Sequence, residues 1–410
     1  MARRNWLAMA AEEAARRILA RSGDPPVRIV LPTGVAVEPR GAQPRFTLSI
    51  RTWRALAAML IDPESGFAEN YASGAAEVDG PLAGFCDEIY RCCPWPRSGR
   101  GVAGLLSRYL DWTQSRSVRG AKANIHRHYD LGNEFYRLWL DEEMLYTCAF
   151  FPREDATLEE AQQAKMERVA RKLALQQDER VAEAGCGWGA FALYIARHYG
   201  CRVRAFNISE EQIAWARRRA RELGLEGRVE FVLDDYRNIT GSYDVFASIG
   251  MLEHVGKDHY RELGEVIRRT IGDRGRGLLH FIGRSSPAPL SAWIRKRIFP
   301  GAYAPALSEM LPLLEAGDYR VADVENLRSH YARTLRCWRE RFEAAGPQVR
   351  RMFSEEFARA WKLYLAGSEA AFHSGSLQLY QVLFAGPRCT RALWTREGEQ
   401  QAQLRAAGGA

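Results

Sequence analysis

The feature that most limits how this chain can fold is a glycine-rich loop between a short apolar strand and a helix. The run Glu183-Ala-Gly-Cys-Gly-Trp-Gly189 follows strand-like residues 180–184 and precedes helical residues 191–199. Glycines at Gly185, Gly187 and Gly189 let the backbone turn tightly and leave no Cβ in the way of a ligand. A strand, such a loop and a helix in succession are typical of an open α/β sheet that binds its ligand at the carboxyl ends of its strands.

The same alternation of strands and helices continues on both sides of this loop. Apolar periodicity predicts strands at 180–184, 201–206, 229–233, 243–249 and 277–282. It predicts helices at 158–175, 191–199, 210–223 and 260–270. This order predicts an α/β fold with a doubly wound, mostly parallel sheet that helices cover on both faces.

Changes in pattern divide the 410 residues into four parts. Residues 1–100 combine strand-like runs with a helical apolar face at 52–61 and predict a smaller N-terminal α+β domain. Prolines and glycines between 94 and 101 interrupt regular structure, and a basic helical linker is predicted at 101–123. The α/β region is assigned to 124–390 and a C-terminal tail to 391–410.

Charge and composition narrow the possible partners and locations. The net charge of +8 suits nucleic acid or anionic lipid headgroups equally well. No apolar stretch reaches the length of about 20 residues that a membrane span needs. Acidic residues Glu12 and Glu13 interrupt the N-terminal apolar run, so we expect an amphipathic helix, no signal peptide and a cytoplasmic protein. The eight cysteines form no C-x-x-C pair, and no metal site is expected.

The residue that leads the glycine loop predicts the ligand. The three glycines do not match the G-x-G-x-x-G pattern of dinucleotide-binding folds. Glu183 can accept a hydrogen bond from an amino-acid ammonium group, which S-adenosylmethionine carries and a nicotinamide cofactor lacks. Polar residues at the ends of the next strands predict further cofactor contacts, although each alone fits a cap or turn equally well: Asn207, Gln212, Asp234, Asp235 and Tyr236.

Five further segments are dense in aromatic and polar residues. They are His126-Arg-His-Tyr-Asp-Leu-Gly-Asn-Glu-Phe-Tyr136, Met144-Leu-Tyr-Thr-Cys-Ala-Phe-Phe151, Met251-Leu-Glu-His-Val-Gly256, Leu279-His-Phe-Ile-Gly283 and His330-Tyr-Ala-Arg-Thr-Leu335. Together with the loop and Gln378-x-x-Gln381, they resemble the cyclopropane-fatty-acyl-phospholipid synthase family over about 124–385. The resemblance implies a Rossmann-like methyltransferase fold, an S-adenosylmethionine cofactor with Tyr129 among its contacts, and a lipid-binding-like N-terminal domain.

Members of that family join the methyl carbon of S-adenosylmethionine to a cis double bond of a phospholipid acyl chain. A carbocation results, and loss of a proton closes a cyclopropane ring. The family holds a bicarbonate ion as the base. The resemblance carries its ligands onto the Cys148 and Ile282 backbones and onto the Glu253, His280 and Tyr331 side chains.

Residue chemistry agrees with this set. A carboxylate beside a bound anion would repel it, so we expect Glu253 to hydrogen-bond a protonated edge of the bicarbonate or a neighbouring group. His280 and Tyr331 can donate to its oxygens. Three aromatic faces are expected to stabilise the developing positive charge by cation–π interaction: Tyr146, Phe150 and Phe151.

The resemblance also implies a partner, an unsaturated phospholipid in an anionic membrane surface. Basic and large apolar side chains alternate in Trp293-Ile-Arg-Lys-Arg-Ile-Phe299, which suits peripheral binding at the inner face of a membrane or a lid over the acyl chain. The motif Glu69-x-Tyr-x-x-Gly74 resembles part of the family's small domain. It predicts a homodimer contact, docking of the catalytic domain on the bilayer, or a structural cap.

Three other functions stay open. A related lipid C-methyltransferase would leave a methylene or methyl branch, because the carbocation can lose a different proton. A nucleic-acid methyltransferase would carry an Asn/Asp-Pro-Pro-Tyr/Phe loop or a Pro-Cys nucleophile where this chain has Met251-Leu-Glu-His254, so no nucleic-acid partner is predicted. The third is a non-catalytic lipid-binding protein, against which the complete residue set argues.

Overall fold

The computed structural model describes residues 2–93 and 131–391. Its helices are α1 Ala2–Arg21, α2 Trp53–Ile61, α3 Pro63–Ala72, α4 Leu82–Cys92, α5 Asn133–Arg137, α6 Leu158–Lys172, α7 Ala190–Tyr199, α8 Glu210–Glu222, α9 Leu252–Val255, α10 Tyr260–Ile271, α11 Ala292–Arg297, α12 Leu307–Glu315, α13 Arg328–Ala344, α14 Gly346–Met352 and α15 Glu355–Ser374. Its strands are β1 Val27–Val30, β2 Ala36–Val37, β3 Phe46–Ile50, β4 Ala76–Asp79, β5 Arg180–Ala184, β6 Arg202–Asn207, β7 Val229–Leu233, β8 Val245–Ile249, β9 Arg276–Gly283, β10 Arg320–Asn326 and β11 Gln378–Ala385. The linker predicted at 101–123 and nearly all of the tail predicted at 391–410 lie outside the described residues.

A seven-stranded sheet forms the larger domain, in the order β10-β11-β9-β8-β5-β6-β7. The five strands from β5 to β9 run parallel to one another. They are the five strands predicted from apolar periodicity, and the predicted doubly wound α/β fold is confirmed. β8 is buried along its whole length, as expected of a parallel strand covered on both faces.

Two further strands, β10 and β11, extend this sheet in antiparallel fashion. Neither belongs to the predicted set. β10 is exposed or half-buried along its length, as an edge strand is, and its polar sequence Arg320-Val-Ala-Asp-Val-Glu-Asn carries little strand signal. β11 is almost fully buried and pairs with β9 over eight residues.

The order of the strands creates a crevice beside β5. The chain passes from β5 to β6 and β7 on one side, and then returns to build β8 and β9 on the other. At such a reversal, the helices that follow neighbouring strands lie on opposite faces of the sheet, and a crevice opens at the carboxyl ends of the strands. The glycine loop follows β5 at this point.

The N-terminal domain contains a four-stranded sheet in the order β2-β1-β3-β4. β1 and β3 are parallel, with Val27 opposite Phe46, and β4 runs antiparallel to β3. Buried side chains alternate along β1 and β3, because one face of the sheet packs on the helices of this domain.

Charged contacts fix this domain on helices α11 and α15 of the larger one. Arg297 on α11 donates to Glu69 at 2.5 Å, and Lys296 lies 3.4 Å from the same carboxylate. Arg359 on α15 donates to the Tyr71 carbonyl at 2.7 Å and places its guanidinium 4.3 Å from the Tyr71 ring. The motif Glu69-x-Tyr71 therefore joins two domains of one chain, and the basic segment predicted for membrane contact takes part in the same interface.

We predict that Arg359→Met weakens the attachment of the N-terminal domain. The substitution removes the charged donor that Arg359 supplies to the Tyr71 and Ala76 carbonyls, which costs about 1–3 kcal/mol of unfolding free energy. Urea denaturation followed by tryptophan fluorescence measures the loss. Arg388→Met, which removes an exposed pair with Asp273, is the control and should change stability by less than about 0.5 kcal/mol. Equal effects of the two substitutions would contradict the assignment.

Candidate cofactor and catalytic site

The glycine loop has the backbone that its sequence predicts. Gly185, Gly187 and Gly189 all have positive φ, at +79°, +54° and +88°. A Cβ on Gly185 would lie 2.8 Å from Met251, and one on Gly189 would lie 2.6 Å from Phe231. A Cβ on Gly187 would meet nothing within 4 Å. The outer glycines are therefore required by packing, whereas the middle one faces open space.

Glu183 lies at the buried end of β5, just before this loop. Its Oε2 is buried and has no hydrogen-bond partner among the described residues. Burial raises the pKa of Glu183 to about 8, while the Lys165 charge acts in the opposite direction. A ligand that brought a positively charged donor to this oxygen would supply both the missing hydrogen bond and the missing charge. The amino-acid end of S-adenosylmethionine has that chemistry, and the residues present fit it.

Asn207 ends β6 and holds the loop from the side. Its amide nitrogen donates to the Gly187 carbonyl at 3.2 Å and to Gln212 Oε1 at 2.7 Å. Its amide oxygen accepts from the Ile208 backbone at 2.8 Å. The predicted cofactor residues Asn207 and Gln212 thus lie beside the loop, and Asn207 supports its shape.

The segment after β7 brings three more predicted residues to the same edge of the sheet. The Asp234 backbone donates to the Asn207 carbonyl at 3.0 Å, and its carboxylate accepts from Asn238 at 2.7 Å. Asp235 forms a 3.1 Å ion pair with Arg237, so it has a structural role. Tyr236 is buried and its hydroxyl has no partner among the described residues. Tyr129, also predicted to contact the cofactor, lies outside the described residues.

Glu253 and Ile282 meet in a second cluster, beyond the ends of β8 and β9. Glu253 Oε1 accepts from the Ile282 backbone at 2.5 Å. The other carboxyl oxygen is buried without a partner in the described chain. Burial raises the pKa of Glu253 to about 7, so near neutral pH the free oxygen can carry a proton and donate it to a ligand.

His280 contributes a donor to the same cluster. Its Nδ1 accepts from Gln381 Nε2 at 3.0 Å, which places the ring proton on Nε2. This Nε2 is buried and unpartnered within the described part of the chain. Burial, together with the charges of Lys165 and Lys172, lowers the pKa of His280 to about 3, so the ring stays neutral. Gln381, part of the Gln378-x-x-Gln381 motif, fixes the tautomer.

Cys148 and Tyr331 lie on facing segments. The Cys148 thiol lies 4.0 Å from the Leu327 carbonyl, and the next backbone N–H, that of Ala149, donates to Thr334 at 3.0 Å. Leu327, Tyr331 and Thr334 are spaced along one face of α13, so Tyr331 shares the face that contacts this segment. Burial raises the pKa of the Cys148 thiol well above its usual range, so this cysteine is not a thiolate nucleophile.

The cofactor loop and the second cluster are joined by residues 250 and 251. Met251 packs where a Cβ on Gly185 would be, and the Gly250 backbone donates to the His280 carbonyl at 2.8 Å. The unpartnered atoms of Glu183, Glu253 and His280 therefore belong to adjacent strand ends, β5, β8 and β9, of one sheet edge.

Aromatic side chains line the region next to this edge. Trp188, from the glycine loop itself, lies 5.0 Å from Tyr136 between ring centroids, and Tyr146 packs at 5.2 Å on Trp139. The Tyr146 and Tyr364 hydroxyls are 2.7 Å apart. Among the aromatic residues predicted to stabilise a cation, Tyr146 belongs to this group.

Phe150 and Phe151 have another role. The Arg168 guanidinium lies 4.3 Å from the Phe150 ring, and Arg333 lies 4.0 Å from that of Phe151. Both aromatic residues already contact a cation of the protein itself, so the predicted role in stabilising a substrate cation does not apply to them.

Residue patterns alone miss Gln162 and Lys165, which lie on the buried face of α6. The Gln162 amide donates to the Thr147 carbonyl at 3.0 Å, and Lys165 Nζ donates to the Thr147 hydroxyl at 3.0 Å. The sequence does indicate these two residues, because both polar side chains occupy positions that the helical period assigns to the core.

Across residues 2–93 and 131–391, no three His, Cys, Asp or Glu side chains are grouped so as to hold a metal ion. No helix in those ranges has the length and apolar content needed to cross a membrane.

The strand order and the glycine loop define the Rossmann-like fold of the S-adenosylmethionine-dependent methyltransferases. A family model described as mycolic acid cyclopropane synthetase matches residues 116–382. The chain belongs to this family.

Individual relatives agree with this membership. The tuberculostearic acid methyltransferase UfaA1 of Mycobacterium tuberculosis is 34% identical over 401 residues, which cover 92% of each chain. A cyclopropane-fatty-acyl-phospholipid synthase of Escherichia coli is 38% identical over 259 residues, 63% of this chain and 66% of the relative. The solved structure of mycolic acid cyclopropane synthase CmaA1 with SAH and CTAB matches with a TM-score of 0.61 and 30% identity, covering 64% of this chain and 97% of that one.

We predict that alanine at two glycines of the loop separates packing from ligand binding. Gly189→Ala forces a Cβ against Phe231 and should lower stability by at least about 1–3 kcal/mol. Gly187→Ala meets no atom, so its stability loss should stay near the backbone cost of about 1–2 kcal/mol, while binding of S-adenosylhomocysteine weakens at least about tenfold. Thermal melting and calorimetric titration measure the two effects. Unchanged binding by Gly187→Ala would exclude the open space at this glycine as the ligand site.

Proposed function

We propose that the protein transfers a methylene unit from S-adenosylmethionine to the cis double bond of an unsaturated phospholipid acyl chain, forming a cyclopropane ring. One observation carries the proposal. Beside a loop suited to the methyl donor, two buried polar atoms, His280 Nε2 and Glu253 Oε2, have no partner among the described residues. Such a pair suits a small anion that brings both an acceptor oxygen and a hydroxyl.

The reaction needs no protein nucleophile, since the π electrons of the alkene attack the sulfonium methyl carbon. When bound, S-adenosylmethionine supplies the carbon, and bicarbonate supplies the base for the proton whose loss closes the ring. The protein must then align the donor with the alkene, exclude water and hold the anion. The high pKa of the Cys148 thiol is in keeping with a reaction that has no thiolate step.

Each residue around the proposed anion site has its own role in holding the anion. Neutral His280 donates from Nε2, because Gln381 occupies its other nitrogen. Glu253, with a pKa near 7, donates when protonated and accepts from a ligand hydroxyl when ionised. Its other oxygen stays bonded to the Ile282 backbone, which keeps the carboxyl in place. Tyr331 and the Cys148 backbone complete the proposed set.

The aromatic group next to the site suits an acyl chain and a transient cation. Tyr136 and Trp139 are fully buried, and Tyr146 packs against both at 5.5 and 5.2 Å. Aromatic faces exclude water and interact favourably with positive charge without reacting with it. A carbocation formed here would keep its proton until a base removed it.

Peripheral binding to an anionic membrane surface is a further part of this proposal. The net charge of +8 supports it. Because Lys296 and Arg297 are paired with Glu69, we place the apolar contacts on exposed side chains of the N-terminal domain instead, where Trp53 is 50% exposed and Ile61 is 81% exposed. A homodimer remains compatible with the same domain.

A lipid C-methyltransferase is the second candidate, and a specific similarity favours it. The relative that matches 92% of this chain carries the name tuberculostearic acid methyltransferase. The two reactions share the donor, the alkene and the carbocation, and they differ in which proton is lost. The cyclopropane product is preferred because the chain carries all five residues that the resemblance assigns to the anion site, and because Glu253 and His280 each keep a buried polar atom without a partner among the described residues.

The product of the purified protein tests the proposal. We expect that incubation with methyl-labelled S-adenosylmethionine and vesicles of unsaturated phospholipid gives upfield ring protons in the proton NMR spectrum of the lipid. Glu253→Gln should lower the rate at least about a hundredfold, because the group loses its proton exchange. Glu315→Gln, an exposed carboxylate on α12, is the matched control.

Several outcomes separate the alternatives. Olefinic methylene or methyl-branch signals in place of ring protons would support the C-methyltransferase. Label that enters RNA and not lipid would overturn both lipid functions. If no one-carbon unit is transferred to any unsaturated chain, both methyl-transfer functions are excluded and the lipid-binding alternative is supported.

We predict that Trp53→Ser combined with Ile61→Ser weakens sedimentation with anionic vesicles at least about tenfold. Both side chains are exposed, so the loss reflects apolar contact with the acyl boundary and not the core. Val321→Ser, which removes an exposed apolar side chain on the edge strand β10, is the control. Equal binding by the double variant and the unmodified protein would exclude this surface.

A further inference from the structure

Helix α6 carries three cations on its buried face. Lys165 and Lys172 are fully buried, and Arg168 is 6% exposed. Arg168 and Lys172 share one carboxylate, that of Glu325, at 2.7 and 2.6 Å. No such ion pair is found for Lys165 in the described part of the chain. A buried ammonium without a paired carboxylate is costly, so its surroundings must explain why it is there.

Lys165 lies within electrostatic reach of both halves of the candidate site. Its hydrogen bond holds Thr147, whose methyl group lies 2.8 Å from where a Cβ on Gly250 would be, at the end of β8. Its charge acts on Glu183 at the end of β5 and on His280 in β9. It also acts on Asp141, a buried carboxyl that accepts from the Leu145 backbone at 3.0 Å.

The hydrogen bond of Lys165 fixes the segment that leads into the anion cluster. Met144 in this segment has φ +60°, a left-handed backbone conformation that is strained for a residue with a side chain. Gln162 donates to the Leu145 and Thr147 carbonyls at 3.2 and 3.0 Å, and Lys165 donates to the Thr147 hydroxyl. One turn of α6 therefore holds a strained loop one residue before Cys148.

We propose that Lys165 is a positioning residue that couples the two halves of the site. Its ammonium holds Thr147, and with it the Cys148 backbone, while its charge favours an ionised Glu183 on one side and a bound anion beside His280 on the other. The anion half of this inference rests on the proposed function, whereas the Glu183 half depends only on binding of the cofactor.

The expected pH dependence follows from the sign of the charge. A positive neighbour lowers the pKa of Glu183, so loss of that neighbour raises it above about 8. Burial lowers the pKa of Lys165 itself to about 8, so its charge acts fully on the acid side of the titration and is lost above it. Glu183 must be ionised to pair with a ligand ammonium, and affinity therefore falls as the pH drops below the pKa. Cys186 also faces Glu183, but its thiol has a pKa raised well above the usual range and stays neutral. Asp141, with a pKa of about 6, is ionised over most of the relevant range.

The affinity for S-adenosylhomocysteine, measured by calorimetry between about pH 6.5 and 9.5, tests the Glu183 half without any lipid. We expect the midpoint of the fall in affinity to lie about one pH unit higher in Lys165→Met, which makes binding about tenfold weaker on the acid side. Lys165→Arg keeps the charge and should restore the midpoint. The α-amino group of the ligand titrates equally in all variants, so it cancels in the comparison.

A second variant separates charge from hydrogen bonding. Thr147→Val removes the acceptor of Lys165 and keeps the ammonium. It should leave the midpoint unchanged and raise the bicarbonate concentration needed for half-maximal activity, whereas Lys165→Met should change both. If Lys165→Met fails to fold, an unmoved midpoint in Lys165→Gln would overturn the proposal.

The outcomes distinguish this inference from the proposed function. A shifted midpoint with no product from any lipid would support the role of Lys165 toward Glu183 and refute the proposed reaction. Cyclopropane product with unshifted midpoint and unchanged bicarbonate dependence in Lys165→Met would refute the inference and leave the reaction standing. Lower stability alone, with both readouts unchanged, would mark Lys165 as purely structural and also refute it.

Discussion

The constraint on which the site depends is the burial of ionisable groups that the protein itself leaves incompletely bonded. Glu183, Glu253 and His280 are all at most 6% exposed, and each has one polar atom without a partner among the described residues. An unpaired buried polar atom typically costs about 1–3 kcal/mol. A fold can keep three such atoms at one edge of one sheet when a bound ligand supplies the missing hydrogen bonds. The three atoms together therefore indicate a ligand site more strongly than any one of them alone.

The sheet topology brings these groups together. β5 lies between β6 and β8, and β9 follows β8, so the ends of β5, β8 and β9 are neighbours although they lie far apart in sequence. Met251 fills the space above Gly185, and Gly250 bonds to the His280 carbonyl. The glycine loop and the second cluster are therefore adjacent, because the order of the strands reverses beside β5. A shift of one strand would separate the glycine loop from Glu253 and His280.

Much of this arrangement could be predicted from the sequence, for physical reasons that also explain what was missed. β8 is buried on both faces and is a nearly continuous apolar run, whereas β7, at the sheet edge, alternates buried and exposed residues. Both patterns mark strands, and all five positions agree with the prediction to within about two residues. β10 is an edge strand with a polar sequence, and no periodicity marked it. Glu69 and Arg297 are 228 residues apart, and nothing local indicates that they pair. The sequence suggested that the rings of Phe150 and Phe151 contact a substrate cation. Only the three-dimensional structure reveals that an arginine of the protein already lies against each ring.

Buried charges were also only partly predictable from the sequence. Sequence patterns treat a lysine on the apolar face of a helix as an exception, and here α6 has three cations in such positions. Two of them are neutralised by Glu325, which lies on the edge strand that the sequence did not predict. Lys165 has no such pair among the described residues, and under the two proposals its charge favours both an ionised Glu183 and a bound anion. In the proposed reaction, Lys165 acts on the groups that hold the donor and the anion, whereas the aromatic group around Tyr146 contacts the acyl chain. Because ring closure and branching differ only in the proton that is lost, we expect the choice of product to depend on the side chains that position the carbocation.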